Sequence, residues 1–165
     1  MRHTLLLIVF GLAMATGLRS QAEEPITVGV AEVDYQDSSG EPKDQQAAHA
    51  ARAQRFAEAL RQDLGARGTY RIVTLDCGKD PCSVGSQIPE DLIAAAKRAG
   101  ARLLVYGGVH KMSTLVQNMR AAAVDVETDK LVFERLITFR GDDDAAWDRA
   151  ERFLAKEFLE EKLAQ

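Results

Sequence analysis

Hydrophobic residues recur along this chain at two spacings, alternate positions and steps of three to four, and the switches between them lay out the elements. Residues 26–33 place Ile26, Val28 and Val30 at alternate positions and then stay apolar, the pattern of a strand covered on both faces. Residues 34–44 are polar and include Gly40 and Pro42, which predicts a surface loop. Residues 45–66 are rich in alanine, with Phe56, Leu60 and Leu64 at steps of four and Ala53 and Ala57 beside them, giving one apolar stripe on a helix that Gly65 and Gly68 can end. A second strand is expected over residues 70–75. Pro89 then suits a first helical turn, Glu90 and Asp91 suit its positive start, Lys97 and Arg98 its negative end, and Gly100 a C-terminal cap.

The run Leu103-Leu104-Val105-Tyr106 within residues 102–112 predicts a central strand, continued by Gly107 and Gly108. The three strands so far are separated by a helix or a long connection, which argues for parallel pairing through right-handed crossovers. Residues 115–126 and 130–140 follow as two strand-like runs joined by Glu127-Thr128-Asp129, a connection so short that these neighbours must be antiparallel. From residue 142 onward Trp147, Ala150, Leu154 and Phe158 recur at helical spacing. The expected class is therefore α/β, with a mixed sheet of about five strands. Its order is β-α-β-α-β-β-β-α: three parallel strands, then an antiparallel meander, packed with helices.

The first residues stand apart from this pattern. Arg2 and His3, an apolar stretch over residues 5–15 and the small residues Ser20 and Ala22 read as a cleavable export signal over residues 1–22, too short to span a bilayer comfortably. The mature unit would be a single domain over residues 23–165, without a membrane span, in an exported and periplasmic setting. Export removes the cytoplasmic nucleotide pool and its reducing buffer. Removing Arg2 and Arg19 takes the formal net charge from −4 to −6. Because phosphate backbones need clustered basic groups, nucleic acid is not an expected partner. At 46% hydrophobic residues the chain can build a real core.

Residues 100–109, GARLLVYGGV, followed by residues 124–132, VDVETDKLV, resemble the amino-terminal α/β domain of TolB-type periplasmic proteins and its CsgG-like envelope relatives. There a helix end, a strand of G-x-V type, a V-D-x-x-T-G-x-L hairpin and a closing helix follow in this order. Residues 109–113 and 141–147 look closer still to an uncharacterised family of exported bacterial single-domain proteins. Asp129 stands where the hairpin usually has glycine, and it must then take a left-handed backbone conformation. No propeller or pore segment follows, so the resemblance brings no catalytic residues. What it implies is an α/β sandwich used for protein contacts in the envelope.

Candidate chemistry is sparse. Cys77 and Cys82 are the only cysteines, and export together with the Gly78-Lys79-Asp80-Pro81 spacer favours a structural disulfide over a redox pair, which usually has a two-residue spacer. His49 and His110 stand near no other good ligand in sequence, so no metal or cofactor is expected. His110, Ser113 and Asp125 have the residue types of a hydrolase triad but lack the strained elbow that presents a nucleophile. The acidic stretch with Asp34, Asp37, Glu41 and Asp44 lacks calcium-loop spacing, and Asp142-Asp143-Asp144 reads as helix capping. Gly107 and Gly108 mark a close approach of a helix, another backbone or a ligand. The expected contact surface comprises Gly107, Gly108, Asn118, Arg120 and Glu134, the last three on the polar side of the meander. The function expected is non-enzymatic: binding to another envelope or periplasmic protein. The alternatives are a small-molecule or ion-binding accessory to a substrate-oxidation system, or a thiol-disulfide redox protein.

Overall fold

The computed structural model describes residues 24–161; the expected leader over residues 1–22 lies outside them. The elements are β1 (Ile26–Asp37), α1 (Gln46–Gly65), β2 (Tyr70–Val73), α2 (Pro89–Arg98), β3 (Leu103–Lys111), β4 (Val116–Asp125), β5 (Lys130–Arg140) and α3 (Asp144–Glu160). They form one five-stranded sheet in the order β2-β1-β3-β4-β5. β1 pairs in parallel with β2 and β3, and β3, β4 and β5 form the antiparallel meander. No described helix is long and apolar enough to cross a membrane.

The two faces of the sheet are closed differently. On the first, alternate residues Val28 and Val30 of β1, Leu103, Val105 and Val109 of β3, Met119, Ala121 and Ala123 of β4 and Phe133 of β5 pack against Phe56, Leu60 and Leu64 of α1 and Trp147, Leu154 and Phe158 of α3. On the second, Leu92 and Ala96 of α2 cover Ala31, Leu104 and Val126, with the Cys77–Cys82 disulfide beside them. Helix stripes spaced at three to four residues meet strand stripes spaced at two, which is the period-matching that builds a layered α/β core.

Local signals act where the sequence places them. Pro89 opens α2, Glu90 and Asp91 fill its first turn, Lys97 and Arg98 its last, and Gly100 follows at φ +72°. Asp129 turns the β4–β5 hairpin at φ +54°, the one positive-φ residue other than glycine among those described. β1 departs from expectation. It runs on through the polar residues to Asp37, because β3 offers partners as far as Lys111. The loop is correspondingly shorter, and β2 ends at Val73.

Candidate functional site

The second face of the sheet is only half covered. α2 and the disulfide loop lie over β1, the first half of β3 and the hairpin end of β4, and beyond them the strands meet solvent. There Gly108 of β3 sits beside Arg120 of β4, Asn118 lies opposite Thr138, and Arg120 lies opposite Leu136 of β5. Arg120 Nε donates to Glu134 Oε1 at 3.0 Å, and Thr138 Oγ1 donates to Asn118 Oδ1 at 2.8 Å. The Glu134 carboxylate holds the Arg120 guanidinium above its ordinary pKa, so it stays charged. Leu131 and Leu136 project from the same face, 53% and 68% exposed. An open groove of ≈ 970 Å³ runs from Leu131, Arg120 and Glu134 past Tyr106 and Gly108 to Asp34, whose carboxylate accepts the Gly85 N–H at 2.9 Å.

Of the five residues expected at a contact surface, Gly108, Asn118, Arg120 and Glu134 share this face. Gly107 has the opposite parity and faces the covered side. A Cβ on Gly107 would lie 2.3 Å from the Arg120 carbonyl oxygen, and one on Gly108 would lie 3.2 Å from Cβ of Asp34. Neighbouring strands therefore account for both glycines: β4 crowds one and β1 the other. Sequence reasoning did not single out Leu131 and Leu136. Their exposure arises because no helix reaches β5 on that side.

A second polar cluster lies at the C-terminal end of β3, on the covered face. Lys111 is fully buried, and its ammonium donates to Glu41 of the β1–α1 loop and to Asp142 Oδ2, the latter at 2.5 Å. Asp142 Oδ1 also bonds His49 Nε2 at 2.7 Å and accepts from Arg52 Nη1 at 3.1 Å. The His49 ring stacks on Tyr35 at 4.3 Å. Burial alone would lower the Lys111 pKa and raise that of Asp142. Hydrogen bonds outweigh it in both, so the lysine titrates above and the carboxyl below its ordinary value. The network ties the loop, α1, β3 and the start of α3 together. Its signal in the sequence was parity: Lys111 stands two residues after Val109 on the inward side of β3, where a charge needs buried counter-charges.

The remaining candidates are dispersed. Only Asp143 of the acidic triplet caps α3, accepting from the Ala146 N–H at 2.7 Å; Asp142 joins the buried network and Asp144 takes Arg52 and Arg55. His110 Nε2 bonds Ser38 Oγ at 2.7 Å, while Asp125, at the far end of β4, holds Arg102 and the Thr128 N–H, so no triad forms with Ser113. Asp34, Asp37, Glu41 and Asp44 each serve separate partners. Among the described residues, no group of three or more His, Cys, Asp or Glu side chains is placed to hold a metal ion. Cys77 and Cys82 are bonded, with Cα atoms 5.4 Å apart.

The fold is similar to that of solved structures. The hypothetical protein CT253 from Chlamydia trachomatis superposes with a TM-score of 0.56 at 12% identity, over 86% of this chain and 99% of that one. TolB from Acinetobacter baumannii gives 0.52 at 11% identity, over 86% of this chain but 29% of TolB. The LpoB C-terminal domain from Salmonella enterica gives 0.45 at 12% identity, over 72% and 85%. At such identities the likeness is one of fold. No curated protein matches the sequence. Residues 26–159, from the first residue of β1 to the last turn of α3, match the model of DUF3280, described as a protein of unknown function (DUF2380), and the chain belongs to that family.

Proposed function

We propose that this protein is an exported accessory domain that binds another envelope protein through the open half of its sheet, with no catalytic step of its own. The observation that carries this reading is the uncovered face of β4 and β5, where Leu131 and Leu136 flank the Arg120–Glu134 pair. Exposed leucines around a charged pair make an apolar patch with a polar register mark, the composition of a contact surface. Support also comes from the TolB-like fold, from the leader expected over residues 1–22, and from the buried Lys111 network, whose charged groups are spent on one another.

A photo-crosslinking residue at position 136 tests it in intact cells, with position 58 on the solvent side of α1 as control. One discrete protein adduct from position 136 and none from position 58 is the expected result. Equal labelling from both positions, or none from either, would count against the reading. The groove beside Tyr106 and Gly108 favours the alternative of a small-molecule accessory. That alternative requires a ligand that raises the melting temperature of the purified protein and loses its effect in Tyr106→Ala.

A further inference from the structure

The buried residues of α3 are apolar except Glu151. Trp147 and Glu151 lie one turn apart, 2% and 3% exposed, and each carries a polar atom without a hydrogen-bond partner: the indole Nε1 and Oε1 of the carboxyl group. Orphaned buried atoms are rare in folded proteins, and two at one place ask for a shared explanation. Both residues line the same small cavity of ≈ 10 Å³, bounded on the α1 side by Arg52, Arg55, Phe56 and Ala59. That is room for one water. The two atoms are complementary, since an indole only donates and a carboxyl oxygen accepts; a water between them takes one bond and gives the other.

The surroundings leave the acid without a counter-ion. From α1, Arg52 and Arg55 are engaged by Asp142 and Asp144, and Asp63 adds a like charge. On α3 itself Asp148 opposes ionisation and Arg152 favours it. From β5, Arg135 is taken by Glu157 and Glu161 farther along the helix. Among the described residues, no cation forms an ion pair with Glu151. Burial, followed by Asp63, pushes its carboxyl up to about 7.

We propose that Trp147 and Glu151 hold one buried water between α3 and α1, and that this hydrated pair is a proton-operated clasp, tight with Glu151 neutral and loosened with it charged. The neutral acid fits the closed helix interface. A carboxylate there has no partner charge and draws in further water. The folded-state pKa lies above the unfolded one, so between about 4.5 and 7 the folded protein binds the extra proton. The contribution of the clasp is therefore full at the acid end of that window and is lost as pH rises through about 7.

Trp147 is the sole tryptophan of the chain, so its emission reports on the site directly. The test follows emission from pH 5.5 to 8.5, with hydrogen exchange of the α1 and α3 amides, in the wild type and in Glu151→Gln. A transition centred near 7 in the wild type, faster exchange on its alkaline side and a flat profile in the variant are expected. The His49 ring centroid lies 6.4 Å from that of Trp147, so Glu151→Gln is the control that assigns the transition to Glu151. A transition that persists in Glu151→Gln, or a flat wild-type profile, overturns the proposal. Should the variant fail to fold, the carboxyl carbon resonance of Glu151 in the wild type decides instead: titration near 7 supports the clasp, and titration near 4.5 overturns it. A high-resolution crystal structure adds a second readout. Density bonded to both Nε1 of Trp147 and the Glu151 carboxyl supports the water, and a dry cavity beside other ordered buried waters sinks it.

Discussion

The same five strands present two faces, and only one of them is finished. On the α1–α3 side every strand from β1 to β5 sends a side chain into a continuous core that ends in Trp147, Leu154 and Phe158. On the α2 side the cover stops at Ala31, Leu104 and Val126, and β5 meets solvent through Leu131 and Leu136. The difference separates two duties. The first face holds the fold, and the second is free to carry contacts without endangering it.

Substitutions on each side should sharpen that contrast. The largest losses belong to the covered face: Phe158→Ala, which empties a site packed against Tyr70 and Phe133, should destabilise by about 3–5 kcal/mol in urea unfolding. Lys111→Met should lose a similar amount, about 3–5 kcal/mol, because it leaves the Glu41 and Asp142 carboxylates facing one another without their cation. In the wild type the folded pKa of Asp142 is depressed, so its contribution is present above its ordinary 3.8 and is lost as pH falls through the folded value. In Lys111→Met the acid unfolding limb should begin at higher pH.

Opening the disulfide with Cys77→Ser and Cys82→Ser should cost about 2 kcal/mol, the loop-entropy value for a short ring. Far-ultraviolet dichroism should keep its native shape, since the ring staples a loop at the margin of the α2 side. The smallest effect is expected for Leu136→Ser, within about 0.5 kcal/mol of the wild type. It should nonetheless abolish capture of the partner. If Leu136→Ser instead destabilised as much as Phe158→Ala, the two faces would not divide their duties as argued.

Element order, strand directions and most helix boundaries were legible because each rests on local signals: the continuous apolar run of β3, the Pro89 start and Gly100 end of α2, and the three-residue link through Asp129. The continuation of β1 to Asp37 was not, since residues 34–37 read as loop and become strand only by pairing with β3. At the candidate site, Gly108, Asn118, Arg120 and Glu134 were brought to one face by the simple alternation of strands. The exposure of Leu131 and Leu136 depends on how far α2 reaches, which no single stretch of sequence encodes. The Lys111 network joins residues far apart in the chain, and Glu41 and Asp142 looked like ordinary loop and capping acids until the fold set them beside a buried ammonium.

The irregularity in β1 sets which way its outer half faces. Between Val30 and Val33 this strand has one residue more than β3, which restores Tyr35 to the parity of Val28 and Val30. Were the strand to alternate regularly through this point with all its residues, Asp34 would aim at the core and His49 would lose the ring it rests on. Loss of the codon for Ala31 or Glu32 would remove the surplus and the bulge together, so the outer half of the strand would keep both its facing and its register with β3.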